Sequence, residues 1–265
     1  MSELMKVSCL QMKMELGNPS ENFLHAKQMI RRAVKEHPDV LVLPETWNTG
    51  FFPKTGLAEL SSHDLAEVKE HIGGLAMEYN VNIVAGSVSN LRGGKIFNTA
   101  AVFDRKGACI AEYDKTHLFT PMGEDGFYTR GDHLCVFSLD GIKCGVIICY
   151  DLRFPELTRR LSLDGIEMLF VVSQWPEERI AHLRCLTAAR AIENQIFVVN
   201  CNSCSSADGT VYGGKSAVID PLGRTLALAG ETEEILSAEC DMNLAEKSRD
   251  SIPVFRDRHP GLYET

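Results

Sequence analysis

The sequence has no long hydrophobic run and no excess of positive charge. A membrane-spanning helix needs about 18 consecutive apolar residues, whereas the longest apolar runs here, at residues 145–150 and 168–172, have the length of buried strands. Lys and Arg number 27 against 36 Asp and Glu, which gives a formal net charge of −9. The basic surface typical of nucleic-acid-binding proteins is therefore missing. We expect neither a membrane nor a nucleic acid as a partner.

The features of a secreted, disulfide-stabilised protein are also missing. The first ten residues lack the charged-then-apolar plan of a signal peptide. The nine cysteines are odd in number and scattered along the chain, which argues against a disulfide framework. Hydrophobic residues make up 45% of the 265 residues, enough for a sizeable core. These observations predict a globular protein of the cytoplasm.

Apolar runs and turn signals alternate along the whole chain. Asn18, Pro19 and Glu21 form a helix N-terminus, and Pro38 should stop that helix. Predicted strands lie at residues 5–12, 39–43, 81–86, 95–103, 109–113, 134–138, 143–149, 168–172, 196–200, 216–220, 224–229 and 235–240, and further helices at 63–79, 155–163 and 179–194. No linker or repeat interrupts them, which predicts one α/β domain over residues 1–265. Strands that are apolar on both faces predict two packed sheets with helices outside them.

Three reactive residues, Glu45, Lys115 and Cys149, each lie where an apolar strand ends. Ligands collect at the carboxyl ends of strands in α/β sheets, so these side chains could meet in one crevice. An ammonium can lower a thiol pKa and stabilise an oxyanion, and a carboxylate can take the thiol proton and later activate water. The three residue types together describe amide hydrolysis through a thioester. Spacing alone leaves this open, because a Cys after a strand is more often a buried small hydrophobe.

Three segments resemble the Glu–Lys–Cys motifs of the nitrilase superfamily and occur in the same order. They are residues 43–45 (LPE), 113–119 (YDKTHLF) and 149–156 (CYDLRFPE). The resemblance continues at residues 173–176, 189–195 and 214–223, and so covers nearly the whole chain. It implies a four-layer α-β-β-α sandwich that usually forms a homodimer. It also implies an enzyme that acts on a small-molecule amide and needs neither a cofactor nor a metal.

The same resemblance implies roles for individual residues. Cys149 would be the nucleophile, Glu45 the general base and Lys115 the catalytic lysine. Glu124 looks like the second glutamate that many members place beside these three residues. That assignment is open to a rival, because Asp125 is its neighbour and the loop spacing varies.

Residues 45–51 (ETWNTGF) and 250–255 (DSIPVF) look most like the ω-amidase branch of the superfamily. This implies 2-oxoglutaramate and 2-oxosuccinamate as substrates, whose carboxylate requires a cationic or amide-rich pocket. Arg153 is a candidate for that contact, or alternatively half of an ion pair behind the nucleophile. Trp175 either shapes the pocket or is a core aromatic, and the backbone N–H of Tyr150 is the expected oxyanion donor beside the lysine.

Other functions stay open at this point. A nitrilase or an N-carbamoyl amidase would use the same three residues, and a non-catalytic binding protein could share the fold. Residues 209–216 (GTVYGGKS) satisfy the P-loop pattern, but Ser216 opens a predicted strand rather than a helix, and residues 202–208 before it look like a polar loop. Cys201 and Cys204 have the spacing of a redox or zinc pair, but no second pair accompanies them. We therefore predict neither a nucleotide site nor a metal site.

Overall fold

Two β-sheets lie face to face with helices on their outer faces, in a computed structural model that describes residues 4–263. The first sheet has seven strands in the order β15-β1-β2-β4-β5-β6, with β3 paired to β4 beside this path. Its strands are β1 (Leu4–Gln11), β2 (Val40–Val42), β3 (Ser62–His63), β4 (Asn82–Arg92), β5 (Lys95–Phe103), β6 (Cys109–Asp114) and β15 (Glu234–Asp241). β1, β2 and β4 run parallel, whereas β5, β6 and β15 add antiparallel pairs.

The second sheet has six strands in the order β14-β13-β10-β9-β8-β7. They are β7 (Val136–Leu139), β8 (Ile142–Ile148), β9 (Met168–Ser173), β10 (Phe197–Asn202), β13 (Ala217–Ile219) and β14 (Thr225–Leu228). Its three central strands β8, β9 and β10 run parallel. A separate hairpin consists of β11 (Cys204–Ala207) and β12 (Thr210–Gly213).

Helices cover the outer face of each sheet. The α-helices of the described residues are α1 (Pro19–Ala33), α2 (Leu57–Leu60), α3 (Ala66–Tyr79), α4 (Pro155–Leu163), α5 (Ile180–Asn194) and α6 (Asn243–Ser251). The helices α1 and α3 pack on the first sheet, and α4 and α5 on the second. None of the helices formed by residues 4–263 is long and apolar enough to span a lipid bilayer.

The alternation of side chains along the strands explains why both strand faces are apolar. In β8, Val146 and Ile148 belong to the core between the sheets, whereas Ile147 belongs to the core under α4 and α5. Successive strand residues point to opposite faces, and burying each such side chain contributes about 1.5–3 kcal/mol. The predicted four-layer α-β-β-α sandwich is therefore confirmed.

Several predicted elements agree closely with the structure. The Asn18 side chain accepts a hydrogen bond from the Glu21 backbone N–H at 3.4 Å, as a helix N-cap should. Helix α4 has its predicted bounds of 155–163, and β5 its predicted bounds of 95–103. Ser216 is followed by β13 rather than by a helix, as we predicted.

Other predictions are wrong. Residues 202–208 are not a loop, because β11 lies within them and pairs with β12. The two strands are joined by Asp208 and Gly209, whose φ angles of 47° and 77° are those of a two-residue hairpin turn. Helix α6 was not predicted, because Leu244 and Ala245 are its only apolar residues. The helix predicted at 63–79 begins only at Ala66.

Candidate active site

Cys149 lies at the sharp turn between strand β8 and helix α4. It begins a 3-10 turn, Cys149–Arg153, and its φ of 46° is in the left-handed region that non-glycine residues seldom occupy. Such strain is typical of a nucleophile presented on a strand-to-helix turn. Tyr150, the second residue of the turn, has a backbone N–H in the first turn of this short helix, where the donors have no partner within the helix.

The carboxylate of Asp151 fixes this turn from behind. It is fully buried and accepts hydrogen bonds from the Ile148 backbone N–H at 3.0 Å and the Tyr113 hydroxyl at 2.8 Å. The His117 backbone N–H donates to it at 2.9 Å, and the Thr116 hydroxyl at 3.1 Å. Residues 113, 116 and 117 flank Lys115, so one buried carboxylate ties the lysine segment to the nucleophile turn.

Lys115 is the centre of a buried charge cluster. Its Nζ donates to Glu45 Oε1 at 2.8 Å and to both oxygens of Glu124 at 2.9 and 3.0 Å, and the three side chains are at most 1% exposed. Asn98 Nδ2 bridges the same carboxylates, at 2.9 Å from Glu45 Oε1 and 3.2 Å from Glu124 Oε1. The predicted rival Asp125 is exposed, so Glu124 is the acid that faces the lysine.

A backbone N–H also donates to one oxygen of each carboxylate. The Gln174 backbone N–H donates to Glu45 Oε2 at 2.9 Å, and the Gln174 side chain donates to the Glu45 carbonyl at 2.7 Å. The Phe119 backbone N–H donates to Glu124 Oε2 at 2.5 Å. Hydrogen bonds to charged acceptors are stronger than neutral ones, so both carboxylates are fixed in orientation.

Burial and the two carboxylates decide the protonation of the cluster. Burial raises the pKa of the Cys149 thiol well above its ordinary value, the Glu45 charge raises it further, and Lys115 only partly opposes them. Lys115 thus lowers the pKa of the thiol, as expected of an ammonium, but burial and the Glu45 charge together raise it by more. Burial by itself lowers the pKa of Lys115, but Glu124 and Glu45 raise it well above its ordinary value, so the amine stays charged. Burial raises the pKa of Glu124, against the opposing effect of Lys115.

A cavity opens beside the thiol, and the space within its lining, open solvent included, is about 350 Å³. Its lining includes three cationic side chains, several aromatic ones and the predicted nucleophile: Phe51, Lys115, Phe119, Met122, Cys149, Tyr150, Arg153, Gln174, Trp175, Pro176 and Arg179. All the predicted site residues except Glu45 and Glu124 thus line one cavity, and these two lie buried behind Lys115.

Arg153 and Trp175 lie against each other in this lining. The guanidinium carbon of Arg153 is 4.7 Å from the centre of the Trp175 ring, and one guanidinium nitrogen is 3.3 Å from His182 Nδ1. Among residues 4–263 no carboxylate lies within 4.0 Å of the guanidinium, so the predicted ion pair behind the nucleophile is not formed. Trp175 combines both predicted roles, because it lines the cavity and also packs in the core under α4 and α5.

Four residues of the site were missed by the sequence analysis. Asp151 and Gln174 lie inside the motifs at 149–156 and 173–176, so the motifs contained a signal for them. Asn98 lies inside strand β5 and Arg179 just before helix α5, and nothing in their sequence neighbourhood marks them. The rejected pair Cys201 and Cys204 are free thiols buried in the fold.

Known proteins of several organisms resemble this chain over most of its length. The family model described as carbon-nitrogen hydrolase matches residues 6–250. The "2-oxoglutaramate amidase" of Bacillus subtilis (strain 168) is 42% identical over 257 residues, which cover 97% of this chain and 98% of that protein. The "Omega-amidase NIT2" of Homo sapiens is 30% identical over 257 residues, 92% of this chain and 91% of that protein. The crystal structure of Saccharomyces cerevisiae Nit3, described as a member of branch 10 of the nitrilase superfamily, has a TM-score of 0.90 at 28% identity and covers 97% of both chains.

Proposed function

The chain belongs to the carbon-nitrogen hydrolase family, and on this premise we propose that it is a cysteine-dependent ω-amidase. It hydrolyses the terminal amide of small carboxylate-bearing amides such as 2-oxoglutaramate and 2-oxosuccinamate, and it releases ammonia. The observation that carries the proposal is the buried contact of Lys115 with both Glu45 and Glu124 beside the strained Cys149.

In the first half of the reaction, Cys149 attacks the amide carbon. Because burial and the Glu45 charge raise the pKa of the thiol, the attack needs a base, and Glu45 accepts the Sγ proton as the carbon–sulfur bond forms. The amide oxygen becomes an oxyanion that accepts hydrogen bonds from Lys115 Nζ and the Tyr150 backbone N–H. When the intermediate collapses, Glu45 returns the proton to the leaving nitrogen, the carbon–nitrogen bond breaks, and ammonia departs from a thioester.

In the second half, water replaces ammonia. Glu45 takes a proton from the water molecule as its oxygen attacks the thioester carbon. The carbon–sulfur bond then breaks, the acid is released, and the proton held by Glu45 restores the Cys149 thiol. Glu124 does not exchange protons with substrate; its charge keeps Lys115 an ammonium through both halves.

The lining of the cavity supports a substrate that carries a carboxylate. The guanidinium of Arg153 has no carboxylate partner within 4.0 Å among residues 4–263, and Trp175 holds it from one side. A planar guanidinium binds a carboxylate through two parallel hydrogen bonds. The similarity to proteins named 2-oxoglutaramate amidase and omega-amidase supports the same substrate class.

The test is ammonia release from a panel of substrates, measured with wild type, Cys149→Ala and Cys185→Ala. The panel contains 2-oxoglutaramate, glutamine, asparagine, a nitrile and an N-carbamoyl amino acid. Cys185 is an exposed free thiol on α5 and serves as the matched control. We expect wild type and Cys185→Ala to prefer 2-oxoglutaramate, and Cys149→Ala to be folded but inactive.

Other outcomes would overturn parts of the proposal. Turnover of the nitrile or the carbamoyl compound alone would replace the substrate class by that of a nitrilase or an N-carbamoyl amidase. Near-wild-type activity of Cys149→Ala would remove the proposed nucleophile. Binding of the amides without turnover by wild type would favour a non-catalytic binding protein.

We also propose a homodimer in the cytoplasm. All nine cysteines are free thiols in the structure, which fits a reducing compartment. Leu163 and Ile252 are 38% and 62% exposed and line one surface groove, and a second copy of the chain would remove them from water. Light scattering of the purified protein gives the mass that tests the dimer.

A further inference from the structure

Arg179 lies where two cavities meet. It lines the cavity that contains Cys149, and it also lines an outer cavity of about 870 Å³ beside the turn of the β11–β12 hairpin. Phe119, Met122 and Pro176 line both cavities as well, whereas Cys149 and Arg153 line only the inner one. These four shared residues therefore lie between the two cavities, at a position that we call the neck.

Hydrogen bonds with two residues of the cavity lining fix the position of the Arg179 backbone. The indole N–H of Trp175 donates to the Arg179 carbonyl at 2.8 Å, and the Arg179 backbone N–H donates to the Pro176 carbonyl at 3.1 Å. The guanidinium carbon lies 5.4 Å from the centre of the Phe119 ring. The backbone of Arg179 is thus held by two hydrogen bonds, and its guanidinium lies over the Phe119 ring.

The charge of Arg179 is available to a ligand. Its acidic partner is the adjacent Glu178, whose side chain is 69% exposed, and an ion pair of that kind contributes little because water competes for both groups. The charge of Lys115, in contrast, is already shared between two buried carboxylates. The Arg179 guanidinium can therefore release Glu178 and bind the carboxylate of an entering molecule with little loss of free energy.

We propose that Arg179 is a specificity-determining residue that binds the substrate carboxylate at the neck of the cavity. The inference rests on the proposed function, because it assumes an amide carbon placed at Cys149. The amide end then occupies the inner cavity, and the carboxylate end points toward the opening, where Arg179 lies. Arg153 is on the nucleophile's own turn and lines the inner cavity but not the outer one; it is the rival for the carboxylate contact, and the experiment below separates the two arginines.

The experiment compares two amides with the same number of carbon atoms. Glutaramate carries a carboxylate at the end of its chain, and pentanamide carries a methyl group there. The quantity measured is the ratio of kcat/KM for glutaramate to kcat/KM for pentanamide, in wild type and in Arg179→Gln, Arg179→Lys and Arg153→Gln. Arg184→Gln is the matched control, because it removes the same charge from an exposed position on α5 that lines neither cavity.

We expect Arg179→Gln to lower this ratio about 10- to 100-fold, the range for losing a charge-assisted hydrogen bond, mainly through KM for glutaramate. Arg179→Lys should lower it less, since the charge remains but the paired donors are lost. Arg184→Gln should keep the wild-type ratio. A wild-type ratio in Arg179→Gln, or loss of the ratio only in Arg153→Gln, would overturn the assignment of Arg179. A wild-type enzyme that shows no preference for glutaramate would instead overturn the proposed substrate class.

Discussion

Replacing Lys115 by Met tests the buried charge cluster most directly. Methionine fills a similar volume without the ammonium, so the change removes one positive charge and leaves Glu45 and Glu124 facing each other. Both carboxylates are fully buried, and Asn98 Nδ2 would be the remaining side-chain donor between them. We expect loss of catalytic turnover and a large loss of stability.

The size of the stability loss follows from the number of contacts broken. Lys115 Nζ makes three hydrogen bonds to carboxylate oxygens at 2.8–3.0 Å, and the three side chains that make them are buried. Removing one partner of a buried ion pair costs about 3–5 kcal/mol, because the remaining charge is left uncompensated. For a chain of this length, that corresponds to a fall in melting temperature of about 6–20 °C.

The stability that Lys115→Met loses should depend on pH in a defined direction. Burial already holds the pKa of Glu124 above its ordinary value of 4.5, and Lys115 opposes that rise. Without the lysine, the pKa of Glu124 in the folded protein rises further above its unfolded value. The folded variant then binds more protons than the unfolded chain, so its stability is highest below the unfolded pKa and falls as pH rises through the folded pKa.

Urea unfolding of wild type and Lys115→Met at mildly acidic and mildly alkaline pH measures both effects. The double variant Lys115→Met with Glu124→Gln is the control, because it removes the second unpaired charge and should recover part of the free energy of unfolding. A deficit below about 1 kcal/mol would contradict a buried pair of this kind. A deficit that grows on acidification would show that Glu124 is not the group that takes up the proton.

Two further predictions concern the geometry of the lysine segment and the protonation of the thiol. A Cβ at Gly131 would lie 2.0 Å from the carbonyl oxygen of Asp114, the residue before Lys115. Gly131→Ala should therefore displace Asp114, lower the free energy of unfolding by at least about 1–3 kcal/mol and lower kcat. Gly74→Ala, whose Cβ meets no atom within 4 Å in helix α3, should be neutral or stabilising, and equal melting temperatures for the two variants would refute the clash. The Glu45 charge raises the pKa of Cys149, so Glu45→Gln should shift the pH profile of Cys149 alkylation to lower pH. Mass spectrometry of the peptide that contains Cys149 measures the alkylation. A shift to higher pH would contradict Glu45 as a cause of the raised pKa.

Much of the fold could be predicted because its causes are local. The apolar run of β8 and the cap of α1 at Asn18 depend on a few neighbouring residues, and both agree with the structure. The hairpin at residues 204–213 shows the limit of such reasoning. Its turn signal, Asp208-Gly209, is present in the sequence, but each of its strands has only four residues and β11 contains two adjacent serines, so neither strand is long and apolar enough to be recognised.

The sequence by itself determined the layered fold, and its motifs pointed to Glu45, Lys115, Cys149 and Glu124. Tertiary structure alone decided which donors hold these groups, since Gln174 is 129 residues from Glu45 in the chain and meets it only through the packing of the two sheets. It also decided the direction in which the pKa of the thiol shifts and which cations line the cavity. The physical reason is that hydrophobic periodicity acts between neighbours along the chain, whereas a pKa depends on burial and on distances between charges that only the folded chain brings together.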